Sequence, residues 1–318
     1  MRAVVLNAFG GPEALEVASL PDPELKPGYA LVDVAHAGVN FADIHIREDN
    51  YIVPVALPYV PGSEVVGTVK GGRRVLALTV HGGGYAERAL APRATTFDVP
   101  DDVDDGQALA VAIQGCTAWH LVHTCARLER GESVAVFAAA GGVGTVAIQL
   151  ARLAGAGRIV AAASTSAKRK LAVDLGADAV VDSSTVEGLA DRLIEANGGR
   201  KLDVVFEMTG EHTLQPAMAA TASFGRIVIF GFASGKTAVV DTRDVMIRNQ
   251  SLIGFVLPQL LRRRGALARS VRELFGFVCS GELVTHVGAE YGLTEAQRAH
   301  EELQSRATTG KLILDTSH

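Results

Sequence analysis

The sequence predicts an α/β chain: a β-rich domain, then a doubly wound parallel sheet, then a short segment that returns to the first domain. Three observations predict it. The chain has 318 residues, which suits two domains better than one. From Met1 to about Pro100, short strand-like runs alternate with Gly and Pro, the mark of a β-barrel or sandwich. From Leu109 to Val256, apolar strands alternate with amphipathic helices, the mark of βαβ units around a parallel sheet. The boundaries expected are 1–113, 114–256 and 257–318.

The expected elements follow in order. Ala3–Leu6, Tyr29–Ala35, Ser63–Val69, Arg74–Leu78 and Tyr85–Leu90 read as strands of the first domain. Pro21, Pro23, Pro27, Pro54, Pro58, Pro61 and Gly82–Gly84 break the pattern between them. A helix is expected at Phe41–Arg47. Ser133–Phe137, Arg158–Ala163, Ala179–Val181, Asp203–Phe206, Arg226–Phe230 and Leu252–Val256 read as parallel strands. Helices are expected near Thr185–Asn197 and His212–Ala219. Beyond Leu257 the pattern turns helical through Leu260–Ser280 and ends in the strand-like Lys311–Leu314.

Composition narrows the function classes. Lys and Arg total 30 against 35 Asp and Glu, a net charge of -5. That balance argues against nucleic acid or an anionic membrane as partner. Hydrophobic residues make up 48%, enough for a packed core. No apolar stretch is long enough for a transmembrane helix, and the first residues lack the apolar core and cleavage site of a secretory leader. Cys116, Cys125 and Cys279 are too scattered for a disulfide framework, so a reducing, cytoplasmic setting is expected.

The strongest motif follows the strand Ser133–Phe137. Ala138-Ala139-Ala140-Gly141-Gly142-Val143-Gly144 fits a dinucleotide loop, where small residues let the backbone turn tightly and approach a pyrophosphate. Val143, Val146, Ala147, Leu150, Ala151 and Ala154 then form one apolar helical stripe. The N–H groups at the start of that helix suit phosphate oxygens. The plain alternative is a tight turn, but strand before, helix after and a second strand behind favour the cofactor.

The choice of cofactor is read at the end of the second strand. NAD sites place Asp or Glu there to bind the ribose 2′-OH. This chain has Ser164, inside Ser164-Thr165-Ser166-Ala167-Lys168-Arg169-Lys170. Hydroxyls and three cations stand where a 2′-phosphate would lie, so NADPH is expected. The competing reading is an ordinary basic first turn, although cations there oppose the helix dipole. Gly231, at the C-terminal edge of a strand, lies where such folds open onto the nicotinamide. Phe255, at the end of the last strand, is a further cofactor-binding candidate.

Gly38-Val39-Asn40-Phe41-Ala42-Asp43-Ile44-His45, Tyr51, Pro61-Gly62-Ser63-Glu64-Val65-Val66-Gly67, the loop Ala139–Gly144 and the stretch His300–Leu314 (HEELQSRATTGKLIL) carry a resemblance. Together they resemble the medium-chain dehydrogenase/reductase superfamily, and within it the zinc-independent quinone oxidoreductases of the zeta-crystallin-like branch. The likeness runs collinearly over nearly the whole chain. It implies a GroES-like β domain, a Rossmann domain, NADPH, a homodimer and reduction of quinones or related enones.

The resemblance also implies residue roles. Asn40 would hydrogen-bond near the nicotinamide and the substrate oxygen, Thr117 would lie beside the carboxamide, and Tyr51 would line the substrate mouth. Lys168 would meet the 2′-phosphate beside Ser164, and Arg306 would reach the same phosphate unless it is a surface cation of the last helix. His45 stands where relatives often carry Tyr, and Thr68–Val75 is shorter than usual, which trims a hairpin. Asn40 has a competing reading as the cap of the helix Phe41–Arg47. Asp43 is expected to fix that helix rather than to do chemistry. No group is assigned as catalytic acid or base.

A zinc site is not expected. Such a site needs Cys, His and a third ligand. The first-ligand region carries Asn40, Ser63 precedes Glu64 where a His would stand, and Ala91–Asp105 has no Cys. Cys116, His120 and His123 share a helical spacing, but without a further ligand a packing face is expected. Two other readings stay open. One is an enone or enoyl-thioester reductase, for which Arg262-Arg263-Arg264 would form a basic rim or a solvated helix end. The other is an NADPH-binding structural or RNA-associated protein, which net acidity disfavours. The apolar strands Arg226–Phe230 and Leu252–Val256, near the sheet's end, invite pairing with a second copy.

Overall fold

The computed structural model describes residues 1–318. The chain divides into two units, Met1–Gln114 with Leu261–His318, and Gly115–Leu260. The expected second boundary falls four residues earlier than the observed one, because the helix Leu257–Leu260 stays with the unit whose last strand it follows.

The first unit opens with β1 (Arg2–Leu6) and β2 (Leu15–Ser19), which pair antiparallel. β3 (Tyr29–Val39) is an eleven-residue strand. It is followed by α1 (Phe41–Arg47), β4 (Glu64–Val69), β5 (Arg73–Leu78), β6 (Arg88–Pro92), β7 (Thr96–Asp98) and α2 (Asp105–Ala110). β4 and β5 form a hairpin in which Val69 pairs with Arg73. Gly71 and Gly72 take the left-handed conformations that so short a loop requires. The expected strand Tyr85–Leu90 begins only at Arg88. Tyr85 belongs to the end of the glycine loop, where its N–H meets Pro61 O at 2.9 Å.

The second unit opens with α3 (Cys116–His120), flanked by π-helical turns, then β8 (Ser133–Phe137), α4 (Gly142–Leu153), β9 (Arg158–Ala163) and α5 (Ser166–Asp174). β10 (Ala179–Asp182), α6 (Leu189–Ala196), β11 (Leu202–Glu207), α7 (Glu211–Ala220), β12 (Thr221–Ile229), α8 (Thr242–Arg248), β13 (Ser251–Gly254) and α9 (Leu257–Leu260) complete it. α6 starts at Leu189 and not at Thr185, because Gly188 caps it with a left-handed backbone, φ 65°. The six strands lie in the order β10-β9-β8-β11-β12-β13, and every pairing is parallel. Numbered within the unit this is 3-2-1-4-5-6, the dinucleotide-binding order, with its crevice beyond the carboxyl ends of β8 and β11.

The return segment adds α10 (Ala266–Cys279), β14 (Val287–Gly292), α11 (Ala296–Gln304) and β15 (Lys311–Asp315) to the first unit. β15 lies between β14 and β3, with Leu312 opposite Val39 and Leu314 opposite Ala37. The tail therefore completes the first sheet, as its apolar KLIL pattern predicts. Val32, Val39, Val65, Val75, Leu312 and Leu314 share one core. No helix is long and apolar enough to cross a membrane, and the three cysteines are free thiols.

Candidate active site

The dinucleotide loop of the second unit takes its shape from sterics. Ala138 is forced to φ 48° at the end of β8, and its carbonyl accepts the Gly141 N–H at 2.8 Å. A Cβ on Gly144 would overlap the Ala138 carbonyl oxygen and stand 2.8 Å from the Ala139 carbonyl carbon. Only glycine lets α4 start this close to the strand. Gly141 caps α4 with an extended backbone and no side chain in the way, so the N–H groups of Gly142, Val143 and Gly144 begin the helix without an intrahelical acceptor. That is a cradle for phosphate oxygens. Ala140 closes the turn and is buried.

Beyond β9, Ser164 is exposed, and Thr165 caps α5 by accepting the Lys168 N–H at 3.3 Å. Two of the three cations expected at a 2′-phosphate are engaged elsewhere. Arg169 donates to Ala163 O at 3.1 Å and pairs with Asp182 at 3.0 Å, and Lys170 pairs with Asp174 at 2.6 Å. Ser164 and half-buried Lys168 stay the candidate pair for a 2′-phosphate, with Arg169 and Lys170 each held by a carboxylate beside them.

Gly231 follows β12 against Met208, whose carbonyl oxygen would lie 3.3 Å from an added Cβ. Thr117 is buried in α3. The ring of Phe255 stacks on His120 at 5.8 Å, and His120 Nδ1 lies 2.8 Å from Thr124 Oγ1. Trp119 rests against His120 and His123, both 4.7 Å between centroids. The histidines of this helix are thus spent on packing and hydrogen bonding.

In the first unit, Asn40 starts α1 but does not cap it with its side chain. Its amide Nδ2 donates to Glu64 Oε1 at 2.7 Å, and its Oδ1 accepts from Lys311 Nζ at 3.2 Å and Gln114 Nε2 at 3.4 Å. Asp43 does the capping, its Oδ2 accepting the Asn40 N–H at 2.8 Å. Lys311 and Glu64 are wholly buried and joined by a short ion pair. Sequence reasoning passed over both in this role. A lysine opening an apolar strand and a glutamate opening the buried Val65-Val66 run are each anomalous, and each needs an opposite charge.

A second buried chain runs from Asp43. Tyr85 Oη lies 3.2 Å from Asp43 Oδ2 and 3.2 Å from His300 Nε2. Arg47 Nη1, which can only donate, lies 3.4 Å from His300 Nδ1. The imidazole proton therefore sits on Nε2, which donates to Tyr85, and Tyr85 donates to Asp43. Burial pushes Asp43 up to about 6, against the hydrogen bond from Asn40 and the charge of Lys311. Burial, and then Arg47, push His300 down to about 3.

His45 is buried and tilted against Phe41 at 5.5 Å. Burial lowers its pKa, opposed by Glu48, so the neutral ring is its form near pH 7. Tyr51 is partly buried, and burial, then the charge of Asp43, raise its phenol. Arg306 lies past the end of α11, not on it, exposed and with φ 58°.

Comparison with known proteins places these features. Residues 26–101 match the alcohol dehydrogenase GroES-like domain, and residues 142–273 match the zinc-binding dehydrogenase domain. A human quinone oxidoreductase is 32% identical over 99% of this chain and 97% of its own length. A quinone oxidoreductase of Pseudomonas aeruginosa is 33% identical over 98% of this chain and 99% of its own. Among solved structures, the Escherichia coli quinone oxidoreductase complexed with NADPH superposes with a TM-score of 0.93 at 29% identity, covering 99% of this chain and all of the other. The quinone oxidoreductase of Thermus thermophilus, described with its NADPH complex, gives 0.85 at 36% identity over 99% and 100%. With a GroES-like first unit, a Rossmann second unit and relatives matched end to end, the chain belongs to the quinone oxidoreductase branch of the medium-chain dehydrogenase/reductase superfamily.

Proposed function

We propose that the chain is an NADPH-dependent reductase that delivers hydride to a quinone without zinc. The glycine-floored cradle at Ala138–Gly144 carries this reading, with Ser164 and Lys168 in place of a ribose-binding carboxylate. The named relatives support it. Gly141, Gly142, Val143 and Gly144 would hold the pyrophosphate, Ser164 and Lys168 the 2′-phosphate, with Arg306 as a further contact. Thr117, Gly231 and Phe255 would flank the nicotinamide. When bound, NADPH supplies the hydride. The chain's own groups orient the acceptor and donate hydrogen bonds to its oxygen, with Asn40 and Tyr51 as donors and neutral His45 as part of the wall.

A quinone is already electrophilic and tolerates such weak polarisation, whereas a simple ketone asks for a Lewis acid. The groups gathered at Asn40 do not fit zinc. They are amides, a carboxylate and an ammonium that already neutralises it, not the thiolates and imidazoles of a zinc site. His36, Glu290 and Asp315 also lie close together, but His36 is paired with Asp105 at 2.9 Å.

A second reading keeps the fold and changes the acceptor. Arg262, Arg263 and Arg264 are exposed, as a rim for the phosphates of an acyl thioester would need. Steady-state NADPH oxidation with a panel of quinones and with crotonyl thioesters separates the two, before and after prolonged chelation. Quinone turnover that survives chelation is expected. Turnover of thioesters alone, or activity lost with stoichiometric zinc, would overturn the proposal.

A further inference from the structure

We propose that Lys311 is a positioning residue of this reductase. Together with Glu64 it locks the Asn40 amide in the one orientation that leaves a single N–H to meet the oxygen of the bound acceptor. The proposal rests on the quinone-reductase reading of the site.

Lys311 is a costly choice for its place. Lys311 is followed in β15 by Leu312, Ile313 and Leu314, all buried, and an apolar residue at 311 would suit that run. A buried ion pair seldom stabilises more than well-packed apolar groups of the same volume, so stability alone does not account for it. The surroundings are built around the pair. Lys311 Nζ has three N–H groups and three acceptors, Val39 O at 3.1 Å, Asn40 Oδ1 at 3.2 Å and Glu64 Oε1. Glu64 Oε2 accepts the Ile113 N–H at 2.8 Å. Gly38 makes the room: a Cβ there would run into the Glu64 carboxylate.

The pair dictates which way the amide points. A carboxylate only accepts and an ammonium only donates. Asn40 must therefore turn Nδ2 to Glu64 and Oδ1 to Lys311. Rotation by half a turn would set oxygen against carboxylate and N–H against ammonium. With both acceptor positions of Oδ1 and one N–H of Nδ2 engaged, one N–H remains. Without Lys311, Oδ1 loses its charged donor and a half-turn no longer sets N–H against ammonium. In Glu64→Gln with Lys311→Met the neighbouring amide both donates and accepts, so either orientation of the Asn40 amide is allowed.

The test compares the full-length wild type with Lys311→Met, Asn40→Ala and the double variant, by steady-state NADPH oxidation with a quinone and by Tm. Loss of a donor felt in the transition state lowers kcat more than it changes KM. Each single variant is expected to lose about tenfold in kcat, and the double variant to be no worse than either. If Lys311→Met fails to fold, Glu64→Gln with Lys311→Met removes both buried charges and is expected to show the same loss.

A second measurement does not depend on turnover. In asparagine-15N-labelled protein, the two Asn40 side-chain N–H resonances, assigned by their loss in Asn40→Ala, should stay separate and exchange slowly. In Lys311→Met, or the neutral pair, rotation of the whole amide about Cβ–Cγ should average each N–H over two environments, so both resonances shift and their exchange with water speeds up. Wild-type kcat in the variants, additive losses, or an unchanged amide pair would overturn the proposal. A wild type that oxidises NADPH with no quinone would defeat the functional reading instead, and the amide resonances would still decide whether Lys311 sets the orientation.

Discussion

Tyr85 sits between two buried groups whose proton equilibria burial drives in opposite directions. Asp43 rises from 3.8 to about 6, so between those values the folded chain holds a proton that the unfolded chain has released. Its contribution to stability is present below 3.8 and is lost as pH rises through about 6. His300 falls from 6.5 to about 3, so its contribution is present above 6.5 and is lost as pH falls through about 3. Between pH 4 and 6 the two slopes oppose each other. His300→Gln removes one of them. Relative to wild type, that variant should gain stability on acidification across this window, with a slope on the order of 1 kcal/mol per pH unit. Parallel curves of Tm against pH for the two proteins would show that His300 and Asp43 do not titrate as placed here. Tyr85→Phe leaves Asp43 and His300 without their shared hydroxyl and should cost ~1–3 kcal/mol at any pH in this range, read as a lower denaturation midpoint.

At the scale of elements, the proposed site asks two different things of α4 and α5. α4 offers backbone N–H groups that carry no information about the 2′-position, whereas the first turn of α5 offers Lys168. Lys168→Ala should therefore weaken NADPH and leave NADH nearly unchanged, since one charge-assisted contact is worth roughly 1.5–3 kcal/mol. Equal losses for both cofactors in a binding titration would remove Lys168 from the phosphate site. The loop and α4 were legible because their signals are local: a strand, a run of small residues and an apolar stripe all fall within Ser133–Ala154. The pairing of Arg169 was not legible, for the opposite reason: its partner Asp182 lies on β10, and no spacing rule connects that strand to α5. The Asn40 platform was hidden in the same way. Lys311 and Glu64 are 247 residues apart, and although each is anomalous beside its apolar run, no spacing rule names the other as its partner. The local part was legible: Asp43 fixes the start of α1, as expected, while the engagement of the Asn40 amide by Glu64 is tertiary and has no local signal.

At the scale of the whole molecule, the unsatisfied feature is the end of the parallel sheet. β13 pairs with β12 on one side only, so its other edge presents free backbone groups. On the neighbouring β12 and on α8, the helix that leads into β13, Phe224, Met246 and Ile247 are 78%, 73% and 72% exposed. Phe224 is held there by its N–H to Asn249 O at 2.9 Å and a left-handed backbone, φ 64°. Large apolar side chains grouped at an open strand mark an interface more often than a solvated surface. The sequence expectation placed a dimer contact at Arg226–Phe230 and Leu252–Val256. The structure narrows the candidate surface to β13 and α8, since the Ile227 and Val228 side chains are buried. A two-fold axis beside β13 would let each copy supply the same strand and the same apolar residues to the other. The wild-type chain should sediment as a dimer at micromolar concentration. Met246→Glu with Ile247→Glu should give monomers with little change in Tm at matched monomer content, because neither side chain belongs to a core. A wild type that stays monomeric as concentration rises would refute the contact, and a charged variant that remains dimeric would move it to another face.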